Sequence, residues 1–307
     1  MNCATAPATW AWEVPGPPGE PSVLLVHGWM ATAALNWYGS LDFLGRSFRT
    51  VAPNLRGHGR LGQGAPSFSI EACADDLAEL IEALPLDKPI VVGYSMGGAV
   101  SQVLARRHRE LIGGIVLCAT ASSFARHLEL RPAVRVVSRI AAAGSRRYPD
   151  AAGGLLQWQI ARHDRAAGTR GHSPLGDGAE GDGAVGDGAV GDGATDRRPG
   201  SGKGAQHDYM EWALAERSRS DLATFIEAGA ALNAYDSSGW LPELDVPAAV
   251  VITSRDQTVA PWRQETLAAL IPGARRYAVD AGHDVVVAAP DLLLPVLVNA
   301  CRELEKP

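Results

Sequence analysis

Apolar residues in this chain follow two periodicities, and the two alternate along it. Val23, Leu24, Leu25 and Val26 form an unbroken run ending at His27-Gly28, which predicts a strand buried on both faces. Residues 47–53 predict a shorter strand, and residues 32–45 a helix with Trp37, Leu41 and Leu44 on one face. The clearest helix is residues 70–84. Ile70, Cys73, Leu77, Leu80, Ile81 and Leu84 recur at helical spacing, opposite Glu71, Asp75, Asp76, Glu79 and Glu82. Ser69 reads as its N-cap and Pro85 as its stop. Residues 89–94 predict a strand, 96–107 a helix and 111–118 another strand. After an interruption the alternation resumes, with strands at 248–253 and 275–279 and helices at 261–270 and 290–304. Strands separated by helices in this manner predict βαβ units and a parallel sheet, an α/β fold.

The interruption, residues 120–245, carries amphipathic helical segments at 134–143, 155–162, 208–217 and 222–232, and reads as a helical insertion over the sheet. Inside it, residues 165–206 are of low complexity, with Gly-Asp-Gly-Ala starting at Gly176, Gly181, Gly186 and Gly191. Calcium-binding glycine–aspartate repeats have a period of about nine residues with apolar positions, which this tract lacks. It has too little to bury and reads as a disordered, solvated loop.

Composition narrows the class. The chain has 307 residues, 46% of them hydrophobic and 20% charged, enough for a sizeable core. A net charge of −6 argues against an electrostatically driven nucleic-acid binder. Cys3, Cys73, Cys118 and Cys301 are scattered without a CxxC pair, so neither a disulfide scaffold nor a zinc site is expected, and a cytoplasmic setting is the simpler reading. No signal-peptide core is visible, and no run reaches the ~18 apolar residues of a membrane span.

Candidate chemistry centres on Gly93-Tyr94-Ser95-Met96-Gly97, a G-x-S-x-G string directly between a predicted strand and a predicted helix. That is the context of a nucleophile elbow, where glycines tolerate a strained, crowded backbone and the helix N-terminus supplies N–H groups. A serine hydroxyl needs a base. His283 follows the last predicted strand, at the sheet edge where catalytic loops gather. Asp256 follows the strand at 248–253, 27 residues before His283, and is the candidate to orient it. Asp280 and Asp284 are rivals, too close along the chain to hold His283 across two loops. The oxyanion donors are expected to be the main-chain N–H groups of Met96 and Trp29, with His27 bracing the loop.

Together, His27-Gly28-Trp29, residues 54–59 (Asn-Leu-Arg-Gly-His-Gly), Gly93 to Gly98, Asp256 and Gly282-His283 resemble the α/β-hydrolase superfamily over about residues 20–120 and 246–305. The resemblance implies a mostly parallel eight-stranded sheet, a Ser95–His283–Asp256 triad and a helical cap. The core would be residues 1–119 and 246–307, and the cap residues 120–245. It implies an esterase-like serine hydrolase acting on a small acyl or ester substrate, with no cofactor and no metal. Acyltransferase, thioesterase and cofactor-free perhydrolase are alternatives on the same triad, and a non-catalytic ligand-binding protein is the rival from another class. Trp158, Trp212, Phe225 and Trp240 of the cap either line an acyl pocket or form the cap's own core. Asn54 stands where the family often has Asp, and Leu61-Gly62 where it often has Ser; neither departure removes a catalytic group. Serine at position 95 separates the chain from the dehalogenase and epoxide-hydrolase branches, which use an Asp nucleophile. His58 reads as structural.

Overall fold

A computed structural model describes residues 11–59, 67–124, 141–142, 213, 216 and 220–305. The elements in chain order are β1 (Ala11–Val14), β2 (Ser22–Val26), α1 (Ala33–Gly45), β3 (Arg49–Pro53), α2 (Ile70–Ala83), β4 (Ile90–Tyr94) and α3 (Met96–Arg107). There follow β5 (Gly114–Cys118), α4 (Leu222–Ala234), β6 (Ala248–Thr253), α5 (Pro261–Leu270), β7 (Arg275–Val279), α6 (Val285–Ala288) and α7 (Pro290–Leu304).

The strands form one sheet in the order β1-β3-β2-β4-β5-β6-β7. All pairs are parallel except β1 with β3. The central strands β2, β4, β5 and β6 are buried at every position, which is why they read as unbroken apolar runs. Their side chains divide between two cores by strand alternation. Leu24 and Val26 face the core shared with α2, α3 and α5, whereas Val23 and Leu25 face the one shared with α1 and α7. Helices therefore cover both faces, and each fully buried Leu contributes roughly 2 kcal/mol to holding them there.

Local chemistry sets the element ends. The Ser69 hydroxyl accepts from Ala72 N–H (3.0 Å) and starts α2. The Thr32 hydroxyl accepts from Leu35 N–H (3.2 Å), so α1 begins one residue later than the pattern predicts. Ser47 and Phe48 N–H groups both bond to Leu44 O, which closes α1 and delays β3 to Arg49. A 3₁₀ turn over Arg109–Leu111 likewise shortens the strand expected from residue 111, and β5 starts at Gly114.

The expected eight strands are seven among the described residues. β1 is the outermost on its side, and the residues before it lie outside the described ones. The expected helices at 134–143, 155–162 and 208–217, the tract at 165–206, and Trp158 and Trp212 also lie outside them, isolated positions apart. The helix expected at 222–232 is α4, capped by the Asp221 carboxylate on Ala223 N–H (3.0 Å). Among the described residues no helix is long and apolar enough to cross a membrane.

Candidate active site

Ser95 sits between β4 and α3 with φ 52° and ψ −115°, in the left-handed half of backbone space that a non-glycine residue adopts only under constraint. Several bonds supply that constraint. Ser95 N–H donates to Cys118 O at the end of β5 (3.0 Å), and its carbonyl accepts from Gly98 N–H (2.9 Å) and the Thr120 hydroxyl (2.7 Å). The turn is also crowded. A Cβ on Gly93 would stand 2.4 Å from Ser101 Oγ, and one on Gly97 2.3 Å from Val26 O, so side chains are excluded at both motif glycines.

The loops after β6 and β7 bring two further side chains to this elbow. His283 Nε2 lies 3.0 Å from Ser95 Oγ, and His283 Nδ1 lies 2.8 Å from Asp256 Oδ2. The Asp256 carboxylate offers acceptors only, so Nδ1 carries the ring proton and Nε2 accepts from the serine hydroxyl. Asp256 is fully sequestered, whereas the His283 ring is partly open to solvent. Burial alone would raise the Asp256 carboxyl. Hydrogen bonding and charge from His283, with N–H donation from Val259 and Thr258, outweigh it and hold the group below the usual carboxylate range. Those two N–H groups bond to Oδ1 at 2.8 Å each. Oδ2 also accepts from the Thr253 hydroxyl (2.9 Å) and Gln264 Nε2 (3.2 Å). The carboxylate is therefore fixed on every side before it meets the histidine.

The rival acids are turned elsewhere. Asp280 pairs with Arg255 (3.0 Å) and accepts from the Ser254 hydroxyl (2.9 Å) at the surface, and Asp284 is exposed.

On the opposite side of Ser95, the loop after β2 is adjacent because Val26 and Gly93 are paired in the sheet. A methyl on Gly28 would stand 3.4 Å from Ser95 Cβ. Leu55 N–H donates to His27 Nε2 (3.0 Å), so Nδ1 holds the proton and donates to Gly28 O (2.8 Å). Burial, and secondarily the neighbouring His58, push the His27 pKa down to about 3, so the ring is a neutral brace. Burial lowers His58 to about 4, and its Nδ1 lies 3.1 Å from Arg56 O. Met96, the first residue of α3, follows the serine directly, and first-turn N–H groups have no partner inside their helix. The Trp29 indole N–H donates to Phe225 O of α4 (2.9 Å).

Several contributors carry no sequence signal. The Tyr94 hydroxyl donates to the His283 carbonyl (2.6 Å) and its ring lies against the imidazole, 5.5 Å between centroids. Gln264 is wholly buried and bridges Thr253, Asp256 and Val259. Thr120 fixes the serine carbonyl. Among the described residues no group of three or more His, Cys, Asp and Glu is placed to hold a metal ion.

As an arrangement, a hydroxyl, an imidazole in the accepting tautomer and a buried carboxylate form a hydrogen-bonded line. It can remove the hydroxyl proton as the oxygen attacks and return it to a leaving group. Residues 21–171 match a family model described as the alpha/beta hydrolase fold. A pimeloyl-[acyl-carrier protein] methyl ester esterase from Yersinia enterocolitica is 32% identical over 127 residues, 40% of this chain and 46% of that protein. Epoxide hydrolase 3 from Xenopus tropicalis is 34% identical over 105 residues, 32% of this chain and 27% of that protein. The chain thus spans less than half the length of these curated relatives. Among solved structures, a thermophilic esterase from Thermogutta terrifontis superposes with a TM-score of 0.66 at 22% identity, covering 96% of this chain and 93% of that one.

Proposed function

The chain belongs to the α/β-hydrolase superfamily, and from that premise we propose that it is a serine hydrolase cleaving a carboxylic ester or related acyl compound through an acyl-enzyme. The observation that carries this reading is the continuous line from Ser95 Oγ through His283 to Asp256, at 3.0 and 2.8 Å. Ser95 attacks the acyl carbon while His283 Nε2 takes its proton. Asp256 keeps the ring in the right tautomer and balances the imidazolium. The main-chain N–H groups of Met96 and Trp29 receive the oxyanion. His283 then protonates the departing alcohol, and water, deprotonated by the same nitrogen, releases the acid.

On the same proposal residues 120–245 are assigned to a cap and residues 1–119 with 246–307 to the core; α4 is the described helix of the cap segment. The epoxide-hydrolase similarity does not move the reading, because the elbow residue is a serine rather than an aspartate. Cys73, Cys118 and Cys301 are buried free thiols, which supports a cytoplasmic setting.

The test is labelling of the purified protein with a fluorophosphonate, alongside turnover of p-nitrophenyl esters of graded acyl length. Wild type is expected to label at Ser95 and turn over, whereas Ser95→Ala should label at no residue and lose roughly 10⁵–10⁶-fold in kcat. Labelling absent from folded wild type, or activity retained in Ser95→Ala, overturns the assignment.

A further inference from the structure

The loop that carries the Trp29 N–H is held from two sides. On the sheet side the hold is polar: Gly28 N–H donates to Asn36 Oδ1 (2.8 Å), and His27 Nδ1 to Gly28 O (2.8 Å). Met30, immediately after, has φ 58°, so the loop turns sharply at its far end. On the other side the loop meets α4 at two neighbouring side chains: Met30 packs against Phe225, and the Trp29 indole N–H donates to Phe225 O, 196 positions along the chain; the Trp29 bond is the only polar one among the described contacts.

That contact depends on one small residue. Phe225 and Gly229 lie one turn apart on the same face of α4. The indole lies on the bare backbone there. A Cβ on Gly229 would stand 2.8 Å from Trp29 Cζ2 and 3.4 Å from Cε2, the atom bonded to the donating nitrogen. Glycine in a helix interior costs about 1 kcal/mol relative to alanine, so its presence here needs a reason, and the indole supplies one.

α4 is itself firmly seated. Asp221 N–H donates to Gly57 O (3.3 Å), Gly59 N–H to the Ser220 hydroxyl (2.9 Å), and Phe68 N–H to Glu227 Oε2 (2.9 Å). The Phe225 ring packs 5.3 Å from His58. Trp29 is 45% exposed, so its burial does not explain its fixed placement; the bond to α4 does.

We propose that the Trp29 side chain is a positioning device that ties the oxyanion-side loop to α4, with Gly229 as its seat, so that the Trp29 main-chain N–H is held in place by a correctly docked α4. This rests on the serine-hydrolase reading and adds to it a coupling between the insertion and the oxyanion donor. Any displacement of α4 would be transmitted to the loop beside Ser95 through the Trp29 hydrogen bond, next to the apolar Met30–Phe225 contact.

The experiment is a kinetic cycle on the full chain with Gly229→Ala, Trp29→Ala and the double variant, using a p-nitrophenyl ester and the rate of fluorophosphonate labelling at Ser95. In Gly229→Ala the half-exposed indole swings out, so the fold is kept, and the melting temperature is expected to hold or rise with the better helix former. kcat and the labelling rate are expected to fall roughly 10- to 100-fold, with KM little changed, as for a misplaced oxyanion donor. The double variant should be no slower than Trp29→Ala alone, because the clash needs the ring. Trp29→Phe, which keeps an aromatic ring but loses the N–H, should show the same kcat loss and covers the case in which Gly229→Ala folds poorly.

An unchanged kcat in Gly229→Ala, or the same loss in both backgrounds, overturns the tether while leaving the hydrolase reading standing. Wild type that does not label at Ser95 overturns the hydrolase reading, and the positioning role with it.

Discussion

Asp256 occupies a socket of five donors: the ring of His283, the Thr253 hydroxyl, the Gln264 amide and two backbone N–H groups. In such a socket the negative charge is the favoured state, and an amide in its place would present an N–H to some of the same donors. Asp256→Asn is therefore expected to cost about 10⁴-fold in kcat through the wrong imidazole tautomer. Asp280→Asn, which removes only a surface partner of Arg255 and Ser254, should stay within about twofold of wild type. Steady-state turnover of both variants checks this, and the reverse ranking would reassign the acid. That Ser95, His283 and Asp256 would meet was legible because each follows a strand that reads clearly, and loops after parallel strands converge at one sheet edge. Gln264, Tyr94 and Thr120 were not legible. A buried glutamine on a helix has no periodic signature, and the Tyr94–His283 contact joins positions 189 apart. Only the folded geometry gives those residues a task.

Between elements, the most informative contact is a polar knot under the insertion. Gln102 on α3 donates to Ala121 O (3.2 Å) just after β5, and its carbonyl accepts from the Tyr235 (3.1 Å) and Ser237 (2.7 Å) hydroxyls just after α4. Ser237 N–H also donates to Ser122 O (2.8 Å), and the Ser237 hydroxyl oxygen lies 3.0 Å from that carbonyl. Both Ala121–Ser122 after β5 and Tyr235–Ser237 after α4 are thus fastened to α3, the helix that begins directly after Ser95. Gln102→Leu would leave the Tyr235 hydroxyl and the Ala121 carbonyl buried without that partner, at a cost of roughly 2–4 kcal/mol. Tyr235→Phe removes one donor and leaves a satisfied acceptor, so about 1 kcal/mol is expected. Urea denaturation would separate the two, and equal losses would show that the knot does not depend on Gln102. The sequence is informative about elements in the same uneven way. β2, β4, β5 and β6 were readable because burial on both faces leaves no polar residue inside them. β1 was not, because Ala11–Val14 is a short, half-exposed edge strand whose only signal is its pairing with β3. Helix ends shifted by a residue or two where caps such as Thr32 outweighed the apolar pattern.

For the whole molecule, the buried His27 and His58 set an expectation for acid stability. Their rings are 5.0 Å apart, fully buried, beside Phe68 and Phe225. Burial lowers both, with His58 adding to the effect on His27, so their pKa values stand near about 3 and about 4 in the fold. In the unfolded chain each returns to the ordinary histidine value near ~6.5. Between those limits the unfolded state binds more protons than the folded one, so stability falls as pH falls. Stability from this source is complete above pH ~6.5 and is lost progressively towards the folded values. Asp256 acts in the same direction at lower pH, since its carboxyl is also depressed in the fold. At pH 5 each histidine should have cost about 2 kcal/mol relative to pH 7.5. Urea midpoints across that range are expected to drop steeply in wild type and about half as steeply in His58→Gln, which keeps a side-chain donor for Arg56 O but does not titrate. Comparing slopes makes the test independent of any fixed cost of the substitution. A flat wild-type profile, or one slope shared by both proteins, would mean that these histidines are not buried as neutral rings. The two rings lie between the loop beside Ser95 and the N-terminal end of α4, where Phe225 covers His58. Acid should therefore loosen that junction before the rest of the sheet, and activity at pH 5 should fail at lower urea than global unfolding does.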